Sequence, residues 1–514
     1  MKVAVIGAGP KGLFAVERLL ARRGVGPLEV VVFDPRAPGE GAAYGREQPD
    51  WLRLNVTSAV VDAGWRSGPY PSPNWLVSFD LWRGAGTGSF APRHLVGTYL
   101  DWVWRGLLAT LPEGITLTHH RRLVTRVAQA GSTWEVDEER CGEVLLATGH
   151  AEDWPGALRH HWRGPERLVP HVFPLAGLDD IVPGEAVAVR GAALTFLDAA
   201  LALTQGRGGT FTGDGPLRYH PEGIEPGVIW PTSRTGRWME VKPEPGSLLA
   251  TLDRSALVAA ASASITTEES PHIALGQVER LARGLLDLVG VGDDDDDGVA
   301  AVLAGAAEGD PTDCLRRSWE VATGRRAPSA GWAAGQAWRD LYPALAHRFA
   351  GIEAPDDFHV FADAAARLER IAFGPPPENA AKLLALIDAH MVDPCALKEA
   401  SVDAAGLRWR AGPGPRADVV VDAVLPPPGV AQLPDSLPGQ LGAAQLLMSA
   451  KGRRGVAIDP DGTCLAADGS RRSGLAALGR PTEDVTIGND TLNRSMHDTA
   501  ERWAARVTAT RTES

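Results

Sequence analysis

Three glycines near the start of the chain have the spacing with which a backbone can hold a diphosphate. Gly7, Gly9 and Gly12 follow the apolar residues 3–6. In this pattern the first glycine allows a tight turn, the second lets the backbone approach a pyrophosphate, and the third lets a helix pack closely on a strand. Amide groups at the start of that helix attract the anion. The spacing therefore predicts a dinucleotide site, and the alternative is an accidental glycine turn.

Asp34 supports the first interpretation. It ends the next apolar run, 22 residues after Gly12, where a carboxylate can accept hydrogen bonds from ribose hydroxyls. Pro10 and Lys11 complete the loop between the second and third glycines. NAD and FAD sites share this pattern, so the spacing alone leaves the identity of the dinucleotide open.

The segments that must position these residues alternate between strand and helix. Residues 3–6 predict a strand, residues 13–23 a helix and residues 29–34 a second strand. Together they form a βαβ unit, which predicts a parallel sheet. Residues 186–190 and 194–204 predict another strand followed by a helix. The chain thus contains two nucleotide-binding halves.

Further segments complete this organisation. Residues 208–211 enter another strand, and residues 417–424 predict a strand that is stopped by Pro426. Residues 247–400 are rich in Ala, Leu and acidic residues with helical periodicity, which predicts a helical insertion. The acidic run 293–297 within it predicts a solvated loop.

A final helix is predicted near residues 494–507. Met496, Ala500, Trp503 and Val507 fall at spacings of four, three and four residues. One face of the helix is therefore apolar and docks on the body of the protein.

Composition excludes several functions. The net charge of −13 would repel a nucleic-acid backbone. The four cysteines are far apart and form no C-x-x-C pair, which argues against a disulfide framework, a zinc ribbon or a dithiol centre. No segment approaches 18 consecutive apolar residues. We expect a cytoplasmic protein with no membrane or nucleic-acid partner and no metal; a homo-oligomer is left open.

Several further motifs resemble one known family. They are Gly39-x-Gly41-x-Ala43-Tyr44, Trp51-Leu52-x-Leu54-Asn55-Val56, Pro92-Arg93-x-x-Val96-Gly97, Leu146-Ala147-Thr148-Gly149-His150 and, late in the chain, Gly474-Leu475-x-x-Leu478-Gly479-Arg480-Pro481-Thr482-Glu483. Together they resemble the FAD/NAD(P)-binding flavoproteins related to N-hydroxylating monooxygenases. The resemblance implies that Thr148 and Gly149 lie where the chain crosses between two domains, and that Gly479, Pro481 and Thr482 contact FAD.

The resemblance also implies a fold. It is an α/β fold with two Rossmann-like dinucleotide-binding domains, a three-layer flavoprotein of the glutathione-reductase type, with a helical insertion. Motifs at both ends of the chain imply a discontinuous FAD domain. The expected domains are residues 1–155 with 430–514 for FAD, residues 156–246 with 401–429 for NAD(P), and residues 247–400 for the insertion.

The second glycine pattern departs from that of the family. It begins at Gly191, but position 193 carries Ala193 in place of glycine. A methyl group there narrows the approach to a pyrophosphate and should weaken nicotinamide binding. Thr195 follows in the helix, and Ser233 and Arg234 resemble the family's Ser-Arg-x-Gly loop, which could hold a 2′-phosphate. NADPH is therefore preferred to NADH, and the alternative is a second half that serves only as a scaffold.

Some candidates have an equally simple structural interpretation. Asn55 could contact cofactor or substrate, or could only bond its own turn. Arg93 could contact phosphate or pair with a surface carboxylate. His150 is more often a structural group than a proton shuttle. No catalytic residue is assigned. The predicted cofactor-binding residues are Gly7, Gly9, Pro10, Lys11, Gly12, Asp34, Asn55, Arg93, Thr148, Gly149, Gly191, Thr195, Ser233, Arg234, Gly479, Pro481 and Thr482.

The function implied by the resemblance is N-hydroxylation with FAD and NADPH. Reduced flavin would react with O2 to a C4a-hydroperoxide, which transfers oxygen to an amino acid or small primary amine. A flavin-dependent dehydrogenase or oxidase is one alternative, which Ala193 mildly favours. A nucleotide-binding scaffold without catalysis is another.

Overall fold

The computed structural model describes residues 1–22, 27–84, 88–151, 153–268, 270–291, 296–306, 309–429, 434, 436–489 and 491–509. Its strands are β1 Lys2–Ile6, β2 Leu28–Phe33, β3 Ile115–His120, β4 Val127–Ala130, β5 Thr133–Val136, β6 Glu139–Cys141, β7 Glu143–Leu146, β8 Arg167–Val169, β9 Ala186–Arg190, β10 Thr210–Thr212, β11 Arg218–His220, β12 Val228–Thr232, β13 Ala400–Asp403, β14 Gly406–Trp409, β15 Val419–Asp422, β16 Thr463–Leu465 and β17 Arg471–Ala477. Asp293 to Asp295 of the acidic run lie outside the described residues.

The helices cluster in the middle of the chain. They are α1 Pro10–Ala21, α2 Phe79–Arg83, α3 Arg93–Ala109, α4 Leu194–Leu203, α5 Leu248–Thr251, α6 Ser255–Thr267, α7 Pro271–Leu288, α8 Asp296–Ala304, α9 Pro311–Ala322, α10 Ala330–Ala350, α11 Pro355–Ala372, α12 Pro377–Asp388, α13 Ala396–Glu399, α14 Leu437–Ala443 and α15 Thr499–Ala509. No helix in the described ranges is both long enough and apolar enough to cross a membrane.

The chain divides into two compact units. The first contains residues 1–155, 346–358 and 426–514, and the second contains residues 156–345 and 359–425. Each unit is built on its own parallel sheet, so the α/β fold with two Rossmann-like halves is confirmed. The predicted domain boundaries stay a prediction.

The sheet of the first unit has the strand order β16-β17-β7-β1-β2-β3. All neighbours are parallel except β16 and β17. Val3 and Val5 of β1 face a core that includes α1, α3 and α15. Ala4 and Ile6 face the opposite core, which includes β4, β5 and β6. Because alternate side chains of a strand point to opposite faces, β1 is covered on both sides and the unit has three layers.

The second unit has a four-stranded parallel sheet in the order β12-β9-β15-β8. The predicted strands at 186–190 and 417–424 are its two central members. The strand that begins near residue 210 is not part of this sheet. Instead β10 pairs antiparallel with β11 around a turn that contains Gly213, whose φ is +118°. One of the two parallel neighbours of β9 is β12, a strand that was not predicted from the sequence.

The final helix begins later than predicted. Residues Arg494–Met496 form a separate 3-10 turn, in which the side chain of Asn493 accepts a hydrogen bond from the Ser495 amide. His497 is extended, and α15 begins at Thr499. Met496 therefore lies outside the helix. The predicted docking face still exists, since Trp503 and Val507 are buried.

We predict that Trp503→Ala strongly destabilises the first unit. Trp503 is fully buried and its Nε1 donates to Glu143 Oε1 at 2.9 Å. Truncation leaves a cavity and removes one donor from Glu143, which also accepts hydrogen bonds from Arg506. The expected loss is roughly 3–5 kcal/mol in unfolding free energy. Urea unfolding followed by circular dichroism measures it. Arg502→Ala is the control, because Arg502 is exposed and pairs with Asp498, the residue just before α15; equal losses in both variants would contradict the docking role of Trp503.

Candidate functional site

The first glycine loop joins β1 to α1 through two very close contacts. Gly7 has a φ of +101°, and a Cβ on it would lie 2.2 Å from the carbonyl oxygen of Ala147. A Cβ on Gly12 would lie 2.0 Å from the carbonyl oxygen of Gly7. Both distances are impossible for real atoms. Gly7 and Gly12 are therefore glycines because the protein itself fills the space beside them.

Gly9 differs from these two residues. Its φ is −64°, and a Cβ there would meet only Gly41 Cα, at an ordinary 3.5 Å. The fold alone does not demand glycine at this position, so the space beside it is available to a ligand. Pro10 is the first residue of α1, and the amides of the first helical turn have no acceptor within the helix. Together these features fit the diphosphate of a dinucleotide.

Asp34 lies directly behind this loop. Its Oδ2 accepts a hydrogen bond from the Ala8 amide at 2.8 Å, and its Oδ1 accepts one from the Arg36 amide at 2.8 Å. The carboxylate therefore holds the backbone of the loop, a role that the sequence analysis missed. Each oxygen keeps a second lone pair, so the predicted contact with a ribose remains a prediction.

A second loop runs along the first. The Gly39 amide donates to the Ala8 carbonyl at 2.6 Å, and Gly41 has a φ of +53° with its Cα facing Gly9. A side chain on Gly41 would enter the space beside Gly9, since its Cβ would lie 3.2 Å from Gly9 Cα. Gly39 and Gly41 belong to the candidate site although they were absent from the predicted set. Their spacing after Asp34 is the feature of the sequence that could have identified them.

The late segment of the chain returns to the same place. Strand β17 pairs with β7, and the Leu478 amide donates to Leu146 O at 2.9 Å. Gly479 follows with a φ of +77°, and a Cβ on it would lie 3.2 Å from Cγ of Lys11. Thr482 donates through its amide and its hydroxyl to the Gly479 carbonyl, both at 2.9 Å. Lys11, Gly479 and Thr482 are thus brought together, with Pro481 buried in the turn between the last two.

These residues border a cleft within the first unit. Its lining consists of Lys11, Phe14, Leu478, Gly479, Thr482, Thr486, Asn489, Arg494, His497, Thr499 and Ala500. Burial lowers the pKa of His497 to about 4, and the charge of Lys11 acts in the same direction. His497 is therefore a neutral imidazole at pH 7. Arg494 forms a buried ion pair with Glu17 at 2.7 Å.

The remaining candidates of the first unit form two groups. Thr148 and Gly149 follow β7, and Gly149 has a φ of +71°. Asn55 and Arg93 lie in one neighbourhood, because Arg53 and Pro92 form a β-bridge and Arg93 Nε donates to Arg53 O at 3.1 Å. Cofactor contact by these four residues remains a prediction.

The second glycine turn lies at the carboxyl ends of β9 and β12. Gly191 has a φ of +106°, and its amide donates to Thr232 O at 3.0 Å. Ser233 follows β12 directly, and its Oγ accepts a hydrogen bond from the Gly236 amide at 2.9 Å. Arg234 is exposed. Ligands of open α/β sheets bind at this edge, so Gly191 is brought close to the predicted phosphate-recognition loop.

This turn differs from the first at two positions. Ala193 precedes α4 and is exposed, so its methyl group occupies the surface that corresponds to the open side of Gly9. Phe196 takes the place of the third glycine; its ring is buried and lies 5.5 Å from that of Trp238. The first departure was predicted from Ala193 in the sequence, whereas the second is seen only in the structure.

The fold and the first glycine loop define the class, which is an α/β protein with two Rossmann-like halves. Residues 4–151 match the family described as FAD-NAD(P)-binding. The match confirms the predicted resemblance to FAD/NAD(P)-binding flavoproteins.

Curated relatives match less than half of the chain. An L-aspartate N-monooxygenase (nitrosuccinate-forming) of Streptomyces davaonensis is 32% identical over 272 residues, which cover 44% of this chain and 42% of the relative. A nitrosuccinic acid synthase of Aspergillus oryzae is 31% identical over 254 residues, covering 44% of this chain and 38% of the relative. The matches thus span about two fifths of the relatives' length.

Among solved structures, an L-lysine 6-monooxygenase from Pseudomonas syringae is 12% identical. The match covers 99% of each chain, with a TM-score of 0.49. A similarity this low supports no functional conclusion.

We predict that Gly9→Ala and Gly12→Ala have different effects. Gly9→Ala should fold normally but bind FAD at least about tenfold more weakly, because its methyl group occupies the diphosphate space. Gly12→Ala should lose about 2 kcal/mol or more of stability, because its Cβ collides with Gly7 O. Flavin fluorescence titration and thermal melting measure the two effects.

Gly276→Ala serves as the control for these variants. Gly276 is exposed in α7 with nothing within 4 Å of an added Cβ. The change should leave FAD binding intact and stabilise the helix by about 0.5–1 kcal/mol. Unchanged FAD affinity in Gly9→Ala would show that the diphosphate is bound elsewhere.

Proposed function

We propose that this chain is a flavin-dependent monooxygenase that uses NADPH and O2 to hydroxylate the nitrogen of an amino acid or small primary amine. The observation that carries the proposal is the first glycine loop, where Gly9 alone is not explained by packing against the protein. The relatives that match this chain are named as N-monooxygenases acting on L-aspartate. L-Aspartate is therefore the first substrate to test.

Bound FAD would supply the redox and oxygen-transfer chemistry. The chain's own residues bind and orient it. The helix N-terminus beside Gly9 and Pro10 would hold the negatively charged diphosphate, and Asp34 holds the loop that presents these amides. His497 stays uncharged, so it places no second positive charge beside Lys11.

NADPH would use the second unit. Thr195 lies in the first turn of α4, and Ser233 and Arg234 lie at the end of the neighbouring strand. A guanidinium group at that position can hold a 2′-phosphate with two hydrogen bonds. Arg234 has no ion-pair partner among the residues that the structure describes, which leaves it available for such a ligand.

A flavin-dependent dehydrogenase or oxidase is the second candidate. Ala193 and Phe196 favour it, because they remove two of the three glycines that a close nicotinamide site uses. Such an enzyme would reduce its flavin with the substrate itself. It would need no NADPH and would release hydrogen peroxide in proportion to turnover.

The deciding experiment joins two measurements on the FAD-loaded full chain. NADPH oxidation is followed while product mass is recorded with L-aspartate, other amino acids and small diamines. NADPH consumption matched by a product that gains one or more oxygen atoms is expected. A substrate-driven reaction with a desaturated product and no NADPH use would instead identify the dehydrogenase or oxidase.

We predict that Arg234→Ala weakens NADPH binding and leaves NADH binding nearly unchanged. The variant loses contacts to the 2′-phosphate, which NADH lacks, so KM for NADPH should rise roughly tenfold. Steady-state kinetics with both coenzymes measure the ratio. Arg218→Ala is the control because Arg218 is an exposed arginine on β11. Equal changes for both coenzymes would remove Arg234 from 2′-phosphate recognition.

We also predict that Ala193→Gly tightens NADPH binding several-fold, because it restores space for the pyrophosphate. The dissociation constant, measured on the oxidised enzyme, tests this without turnover. Weaker binding in the variant would show that the coenzyme does not approach position 193.

A further inference from the structure

His497 lies in the wall of the cleft of the first unit, on a segment that is anchored at both ends. The turn just before it is held in the core, because the guanidinium of Arg494 forms an ion pair with Glu17 at 2.7 Å. The same guanidinium donates hydrogen bonds to the backbone carbonyls of Phe14 and Ala63. Two residues after His497 the chain enters α15. The backbone on both sides of the imidazole is therefore fixed.

A backbone carbonyl determines which ring nitrogen of His497 carries the proton. The Nε2 atom lies 3.4 Å from the carbonyl oxygen of Gly488. Because a carbonyl oxygen can only accept a hydrogen bond, Nε2 is the protonated nitrogen of the neutral ring. Gly488 is itself held in place, since its amide donates to Glu483 Oε1 at 2.6 Å and the Asn489 amide donates to Oε2 at 2.9 Å. The N–H group of the imidazole is thus used by the protein.

The other ring nitrogen, Nδ1, is an acceptor. Burial lowers the pKa of His497 to about 4, and the charge of Lys11 acts in the same direction. The charge of Asp498 and the carbonyls of Gly488 and Ile487 oppose this shift only in part. The ring is therefore neutral at pH 7 and carries a single proton. A neutral imidazole with its proton on Nε2 has a lone pair on Nδ1, which can accept a hydrogen bond from a ligand.

The neighbouring polar side chains of the cleft direct their donors to the protein. The Thr482 hydroxyl donates to Gly479 O at 2.9 Å. The side-chain amide of Asn489 donates to Thr486 O at 2.5 Å and to the Thr482 hydroxyl oxygen at 3.4 Å. Because these donors are already satisfied, the part of the wall that contains Thr482, Asn489 and His497 suits a ligand group that donates a hydrogen bond.

We propose that His497 binds the coenzyme directly, with its Nδ1 accepting a hydrogen bond from an N–H or O–H group of FAD. FAD carries such donors at N3 of its ring system and on its ribityl chain. Two other residues of the cleft lining, Lys11 and Gly479, belong to the candidate FAD site. The inference rests on the FAD binding of the proposed function, and it is independent of which substrate is oxidised.

Three substitutions at position 497 separate the two bonds of the imidazole. His497→Gln places an amide N–H near the position of Nε2, so it keeps the bond to Gly488 and loses the acceptor at Nδ1. His497→Asn has the opposite effect, because its shorter side chain carries an oxygen near the position of Nδ1 and does not reach the Gly488 carbonyl. His497→Phe keeps a ring of similar shape and loses both bonds.

The affinity for FAD is measured by flavin fluorescence as the coenzyme is added to the full chain freed of FAD. We expect His497→Gln and His497→Phe to raise the dissociation constant roughly tenfold, and His497→Asn to stay within about threefold of the wild type. His272→Phe is the matched control, since His272 is an exposed histidine at the start of α7 and the variant should bind FAD like the wild type. Circular dichroism verifies that each variant is folded.

The analogue N3-methyl-FAD identifies the donor. If the N3–H group is the donor, the wild type and His497→Gln bind the analogue equally. If a ribityl hydroxyl is the donor, His497→Gln weakens the binding of the analogue and of FAD by the same factor. Both results support the proposal.

Two results overturn it. One is an FAD affinity in His497→Gln equal to that of the wild type, and the other is weaker binding in His497→Asn than in His497→Gln. Either would show that the ring serves only its bond to Gly488, while FAD binding by the wild type would leave the proposed function intact. A wild-type chain that binds no FAD would instead overturn the proposed function and this inference together.

Discussion

The contact between Gly7 and the Ala147 carbonyl is the constraint on which the candidate site depends. It brings the end of β1 against the end of β7, while Gly12 brings the first turn of α1 against Gly7. A side chain at either position would force these elements apart, because its Cβ would lie 2.2 Å or 2.0 Å from a backbone carbonyl oxygen. Because the contacts are made by the protein alone, the start of α1 is already aimed at the edge of the sheet before a ligand arrives. Preorganisation of this kind means that a dinucleotide does not have to order the loop on binding.

The parts of the fold that could be predicted from sequence are those whose reasons are local. Residues 3–6 alternate between two cores, and Pro10 suits the first helical position, so the first βαβ unit follows from its own residues. The pairing of β10 with β11 could not be inferred, because an isolated short strand carries no signal for its partner. The start of α15 was misplaced for a related reason, since the side chain of Asn493 supports a short turn that competes with the helix.

In the candidate site, too, some features could be predicted from the sequence and others required the structure. The spacing of Gly7, Gly9 and Gly12 indicated a diphosphate loop, but only coordinates distinguish Gly9, which leaves space open, from the two glycines that fill it. Asp34 was predicted to bind a ribose, whereas in the structure its carboxylate accepts hydrogen bonds from backbone amides. Phe196 went unnoticed because its meaning depends on which helix face meets the sheet. The two glycine turns differ, because Ala193 and Phe196 stand in the second turn where Gly9 and Gly12 stand in the first. The two halves therefore leave different amounts of space for a diphosphate.

The approach of Gly479 to Lys11 places a wall of the first cleft more than four hundred residues from the glycine loop along the chain. On a ribosome, the loop emerges early and remains without that wall until β17 and the turn after it have been synthesised. A coenzyme captured during translation would therefore meet only half of its enclosure. Retention of the coenzyme by the complete cleft is then a late event in biogenesis.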